Sequence, residues 1–284
     1  MKKNVFFRIY GDGQVVVLIP GFASRANSWG FQYRWLKKHF KVITVENNTL
    51  FESQADHNDY YIDEIVSDLN ENLESCGISK TAIVGSSMGG MIALEFANRY
   101  PEKVASVALA TLPVEYNPAL IHLADKLNST VGDDFSFNEF LPLFFSPDFV
   151  KQDRFKIFTD LFMPNGARFP KDVLSNQLCV IREWIESKRW LEGCQCPCLF
   201  IYGADDQLVS SHEAIECLSP IFDKSEFRVI NGAGHAVHIE KHKEFNNIIH
   251  EFLIRTASRL AEVSVNHDGG SREISTIKTR RRRF

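Results

Sequence analysis

Six short apolar runs constrain this chain more than any other feature. They fall at residues 15–19, 41–45, 81–85, 104–110, 198–202 and 226–230, and nearly all are β-branched or apolar throughout. Runs of that kind fit strands covered on both faces. Amphipathic segments lie between them. Ile62, Ile65, Leu69 and Leu73 share one face of a helix expected over 60–75, and 88–100 reads as a second helix, ended by Pro101. Strands that alternate with helices predict an α/β fold with a mostly parallel central sheet and helices on both faces. Residues 6–10 add an antiparallel edge strand.

The alternation breaks after Pro113 and resumes at Cys198. Between these points the chain reads as helical and is rich in phenylalanine, with Phe135, Phe137, Phe140, Phe144, Phe145 and Phe149. The expected organisation is therefore one domain whose core spans 1–114 and 191–257, with a helical cap inserted at 115–190. Residues 258–284 are polar, contain Gly269-Gly270 and end in Arg280-Arg281-Arg282-Arg283. They read as a flexible tail.

At 284 residues the chain can bury a sizeable core. Its net charge of −4 offers no general attraction to nucleic acid or to an anionic membrane. No apolar stretch approaches the roughly 20 residues that span a bilayer. The first residues, MKKNVFFRIYGDG, lack the apolar core of a signal peptide. Cys194-x-Cys196-x-Cys198 lacks the two-residue gaps of common zinc knuckles, and Cys198 opens an apolar run, so no metal is expected. Six cysteines read as free thiols suit a reducing compartment, hence the cytoplasm.

The chemistry concentrates in four loops that follow strands. Ser87 stands at the centre of Gly85-Ser86-Ser87-Met88-Gly89, between the run at 81–85 and the helix at 88–100. A serine on a sharp strand-to-helix turn flanked by glycine is raised into the open as a nucleophile. Ser86 is the alternative, and an N-capping serine is the plain reading of the same residue. A serine hydroxyl needs a base. His235, in Asn231-Gly232-Ala233-Gly234-His235 after the run at 226–230, sits where open α/β sheets hold their sites, with His238 in reserve. Asp206, or else Asp205, follows the run at 198–202 and would orient the imidazole. Oxyanion donors are expected from the amides of Met88 and of Phe22, in Pro20-Gly21-Phe22.

On these motifs the chain resembles the α/β-hydrolase superfamily, in its capped esterase and enol-lactonase-like branch, from about Val15 to Leu253. The order Ser87, Asp206, His235 is the order that superfamily shows. The resemblance implies a Ser-His-Asp triad, oxyanion donors at Phe22 and Met88, and no cofactor. It departs at Pro20, where many relatives have histidine, and at 46–53, where a glycine-containing stretch is replaced. The expected activity is hydrolysis of a carboxylic ester, with lactones and thioesters as alternatives. A ligand-binding receptor with little turnover is the competing class. One specific possibility is a methyl esterase on an acyl carrier protein, which Lys126, Lys151, Arg154, Lys156, Arg168 and Lys171 of the cap would meet; a solvated helical face is the plain reading of those charges. Phe144 and Phe145 are expected to line the substrate pocket.

Overall fold

The computed structural model describes residues 7–46, 62–130, 137–162 and 170–267. The expected strands form one seven-stranded sheet: β1 (Phe7–Tyr10), β2 (Val15–Ile19), β3 (Lys41–Val45), β4 (Thr81–Ser86), β5 (Val104–Ala110), β6 (Cys198–Gly203) and β7 (Glu226–Ile230). The spatial order is β1-β3-β2-β4-β5-β6-β7. Only β1 pairs antiparallel, with β3.

The helices are α1 (Gly30–Leu36), α2 (Ile62–Ser75), α3 (Met88–Arg99), α4 (Pro118–Ser129), α5 (Pro147–Val150), α6 (Asp153–Phe162), α7 (Lys171–Ser187), α8 (Ser211–Leu218), α9 (Val237–Glu240) and α10 (His242–His267). Their starts follow local chemistry. Asn117 accepts from the Ala119 amide at 2.8 Å with Pro118 in the first turn of α4, and Ser210 accepts from Glu213 at the start of α8.

Strand side chains alternate between two apolar layers. Val17, Ile19, Ile43, Ile83, Val107 and Leu109 join α2, α3 and α7 on one face. Val16, Leu18, Val42, Val84, Ala108 and Ile201 join α1 and α10 on the other, against Trp29, Leu36, Phe245 and Phe252. Two-sided coverage is why these runs lack polar alternation. The edge strand β7 is the exception: its Val229 is exposed. Helix α3 is buried on nearly every side because it lies under α2 and α7 as well as on the sheet. That packing requires Gly89, where a Cβ would stand 2.2 Å from the Ile19 carbonyl oxygen.

Between β5 and β6 the described residues form helices and short 3₁₀ turns and contain no strand. At the other end the structure differs from the sequence reading, because α10 runs on to His267. Residues such as Ala257, Leu260, Ala261 and Glu262 are good helix formers, which suits continuation of the helix to His267. Residues 268–284, including the terminal arginines, lie outside the described residues. Phe135, Arg168 and most of the departing 46–53 loop lie there too. Among the described residues no helix is long and apolar enough to cross a membrane.

Because β2, β4, β5, β6 and β7 are parallel, their carboxyl ends open at one edge of the sheet. Backbone bonds extend the ladder past the strand ends there. The Ser87 amide donates to Ala110 O at 2.8 Å, the Thr111 amide donates to Ile201 O at 2.8 Å, and the Asp205 amide donates to Ala233 O at 2.9 Å.

Candidate active site

Ser87 occupies the turn between β4 and α3 with φ 52° and ψ −118°. Left-handed φ is unfavourable for a residue with a side chain and persists only where surroundings enforce it. Ala23 (49°) and Thr111 (49°), which follow β2 and β5, share this feature. Strained backbone thus gathers at the carboxyl edge of the sheet. Met88 is the first residue of α3, so its amide has no partner inside the helix and points out of the helix N-terminus. The Pro20-Gly21-Phe22 loop lies alongside: a Cβ on Gly21 would stand 3.3 Å from the Ser87 Cβ.

His235 and Asp206 come together. His235 Nδ1 lies 2.8 Å from Asp206 Oδ2, and both side chains are shielded from solvent. A carboxylate only accepts, so this contact selects the imidazole form that carries a proton on Nδ1. Asp206 Oδ1 is held separately by the amides of Leu208 (2.8 Å) and Val209 (3.0 Å). These bonds fix which oxygen faces the histidine. Asp205 points elsewhere and is exposed.

His238, the reserve base, is in α9 and buried against Trp29, with ring centroids 4.6 Å apart. Burial, aided by the nearby His235, pushes its pKa down to about 3. It is a neutral core residue. Its Nδ1 has no partner among the described residues.

Several contributors carried no signal in the sequence. The segment Phe144-Phe145-Ser146 is strapped to the loops that bear Asp206 and His235. Phe144 O accepts from the Ala236 amide at 2.7 Å, and Phe145 O accepts from Gln207 Nε2 at 2.9 Å. Glu240 completes the strap: its carboxylate accepts from the amides of Gly234 (2.8 Å) and Ser146 (3.0 Å) and from the Ser146 hydroxyl (2.6 Å). Burial raises the Glu240 carboxyl above its ordinary range despite these three donors. Gly234 must be glycine here, since a Cβ would stand 2.4 Å from the Ser146 amide nitrogen. On the nucleophile side, Gln177 of α7 is fully buried and accepts from the Ala23 amide at 2.9 Å, which steadies the Phe22 loop.

The two phenylalanines expected in the pocket part company. The Phe144 ring meets His235 edge-on at 5.6 Å and continues through Phe137 (5.3 Å) to Phe22 (5.8 Å). This aromatic arc spans from His235 to the Phe22 loop. Phe145 instead packs with Phe149, Phe155 and Phe158 in the helical segment's own core. Adjacent residues outside a regular helix face opposite ways, so sequence proximity did not separate them. A cavity of about 290 Å³ borders Asp206, Gln207, Tyr116 and Asn117, and another of about 320 Å³ lies between α4 and α7. Neither borders Ser87.

The basic residues of the helical segment are largely engaged locally. Lys126 pairs with Glu139, Lys151 with Asp148, and Lys171 donates to Thr130 O. Arg154 lies over the Phe149 ring.

A family model described as the α/β-hydrolase fold matches residues 14–153. A Bacillus subtilis protein provisionally named 2-succinyl-6-hydroxy-2,4-cyclohexadiene-1-carboxylate synthase is 27% identical over 260 residues, covering 84% of this chain and 90% of that one. Among solved structures, a thermophilic esterase from Thermogutta terrifontis superimposes with a TM-score of 0.75 at 24% identity, covering 89% of this chain and 93% of its own. The enol-lactonase of Burkholderia xenovorans LB400 gives 0.77 at 21% identity, covering 88% and 96%. Likeness at that level of identity establishes the fold.

Proposed function

This chain belongs to the α/β-hydrolase superfamily, and from that premise we propose that it is a serine hydrolase that cleaves a carboxylic ester through an acyl-enzyme. The observation that carries the reading is the 2.8 Å contact between His235 Nδ1 and Asp206 Oδ2, at the same sheet edge as a serine raised on a positive-φ turn.

In this mechanism His235 Nε2 takes the proton of Ser87 Oγ as the oxygen attacks the acyl carbon. The amides of Met88 and Phe22 stabilise the tetrahedral oxyanion, and each such donor is worth on the order of 3 kcal/mol. Collapse expels the alcohol, which receives its proton from His235. Water, activated by the same nitrogen, then releases the acid and restores Ser87. Asp206 keeps the imidazole in the productive tautomer and stabilises it when protonated. A serine at the turn, where alkyl-enzyme chemistry needs an aspartate, argues against epoxide hydrolysis.

The helical segment at 115–190 serves as the cap, and its aromatic arc favours an apolar acyl or alcohol group beside His235. The test is fluorophosphonate labelling followed by mass spectrometry, with turnover on acetyl to octanoyl esters, lactones, thioesters and a methyl-ester acyl carrier protein. Label on Ser87, and a fall in kcat of at least ~10³-fold in Ser87→Ala, are expected. Label on Ser86 would overturn the assignment of the nucleophile. Labelling without turnover of any acyl substrate would overturn the hydrolase reading in favour of a binding protein or, as the Bacillus relative's name suggests, a synthase.

A further inference from the structure

At the far end of β6 from Asp206, three thiols converge. Residues four apart in extended backbone are about 13 Å apart. Yet the Sγ atoms of Cys194, Cys196 and Cys198 all lie within 4.8 Å of one another. A bend at Gln195 and Cys196 makes the difference: it turns the chain back just before β6 begins. Cys194 and Cys196 place their sulfurs 3.2 Å apart, and the Cys198 thiol donates to the Cys196 carbonyl at 3.2 Å. None of the three is in a disulfide.

Both ends of the bend are anchored. The turn Arg189–Glu192 precedes it, and the Pro197 carbonyl accepts from the Val107 amide at 3.0 Å. Cys198 is buried while Cys194 and Cys196 are partly accessible, so a small ion can reach the cluster from one side.

Three sulfur ligands at about 2.3 Å from a common centre stand about 4 Å from one another, within the spread seen here. Thiolates select soft cations over Mg²⁺ or Ca²⁺. We propose that Cys194, Cys196 and Cys198 form a binding site for a single thiophilic cation of the Zn²⁺ or Cd²⁺ class, with three thiolate ligands and a fourth position open to water. Binding replaces three S–H bonds by three metal–sulfur bonds and releases the protons to solvent; no electron is transferred. The ion would pin the entry to β6, a strand-length of about 20 Å from Asp206. Its role is therefore structural, not part of ester cleavage. The expectation of no metal rested on the missing two-residue gaps, whereas the proposal rests on a backbone bend that brings the three thiols together.

The experiment adds cadmium chloride to the reduced full-length protein without oxygen, and follows thiolate-to-cadmium charge-transfer absorption. Iodoacetamide alkylation of each cysteine is mapped in parallel by mass spectrometry. Saturation at one equivalent is expected, with Cys194, Cys196 and Cys198 protected and the exposed Cys76 alkylated as before. Cys194→Ser and Cys196→Ser, both at partly exposed positions, should each weaken binding by at least about tenfold, the lower end of the 10–100-fold losses seen for lesser contacts at metal sites. The proposal is overturned if alkylation of the three thiols is indifferent to cadmium. It is equally overturned if the absorption survives in the Cys194→Ser/Cys196→Ser variant, or if a Cys194–Cys196 disulfide persists under reducing conditions and excludes the ion. The protection experiment needs no variant, so a misfolded mutant leaves the test intact.

Discussion

Replacing Glu240 by alanine should loosen both the protein and its active site. The carboxylate accepts three hydrogen bonds in a buried position, from Gly234 N, Ser146 N and Ser146 Oγ. Each buried donor left without an acceptor costs about 1–3 kcal/mol, so the gross loss is about 3–9 kcal/mol. Two effects offset part of it. The buried carboxylate is itself costly, as its raised pKa indicates, and water can enter the vacated space. A net loss of about 3 kcal/mol remains, which for a chain of this size lowers Tm by roughly 6–12 °C. Since Gly234 precedes His235, the base should also lose its register, and a displacement near 1 Å costs about 10² in kcat. Glu240→Gln should be much milder, about 1 kcal/mol. Its amide oxygen can still accept from both backbone amides, while its NH₂ donates to the Ser146 hydroxyl. Thermal melts and kcat on a short acyl ester decide the matter. An alanine variant with wild-type melting and turnover refutes the strap. A glutamine variant as damaged as alanine refutes the hydrogen-bond argument and makes charge the operative property.

Asp206→Asn should lower kcat by about 10⁴ with folding intact, through the wrong imidazole tautomer, and a loss below tenfold would contradict the role given to Asp206. Phe144→Ala should selectively reduce kcat/KM on octanoyl esters. Phe145→Ala should instead cost about 3–5 kcal/mol of stability from the cap's aromatic cluster; equal kinetic losses on acetyl and octanoyl esters in Phe144→Ala would remove it from the pocket. Arg189 bonds Asp63 at 3.0 and 2.8 Å, Glu95 at 2.9 Å and Glu183 at 3.2 Å, so Arg189→Met strands the buried Glu95 and should destabilise by about 3 kcal/mol in urea unfolding. Adding Glu95→Gln should recover part of that loss, and no recovery would count against the pairing. His238 has a depressed pKa in the folded state, from 6.5 to about 3; its contribution is present above pH 6.5 and is lost as pH falls toward 3, because the unfolded chain takes up a proton the folded one refuses. His238→Phe should flatten stability across that window, and an unchanged slope would place the titration elsewhere.

The strands and the loops after them could be read from the sequence because their causes are local. A run such as Val15–Ile19 announces two-sided burial by itself, and glycines mark where β4 and α3 must approach closely. Ser87, Asp206 and His235 were nameable because each follows a strand. What stayed hidden depends on distant parts of the chain meeting. Glu240 acts on Ser146 across 94 positions, and Gln177 on Ala23 across 154. Nothing near either residue in the sequence points to its partner. Around 137–145 the chain forms only short 3₁₀ turns, too brief for a period that would tell Phe144, which meets His235, from Phe145, which packs with Phe149. The convergence of Cys194, Cys196 and Cys198 was hidden for the same kind of reason, since it comes from a bend and not from spacing.

Strand β5 carries none of the reacting groups, yet it sets their scale. It lies between β4, which leads to Ser87, and β6, which leads to Asp206. Its end is joined to both neighbours by main-chain bonds, Ser87 N to Ala110 O and Thr111 N to Ile201 O. The separation of β4 and β6 is therefore two ladder spacings, roughly 9.5 Å, a gauge cut in the backbone and indifferent to which side chains occupy β5. Val104, Val107 and Leu109 can be exchanged for other apolar residues, with consequences for how firmly the sheet holds its helices. The working gap between serine and carboxylate will not widen or narrow as they change.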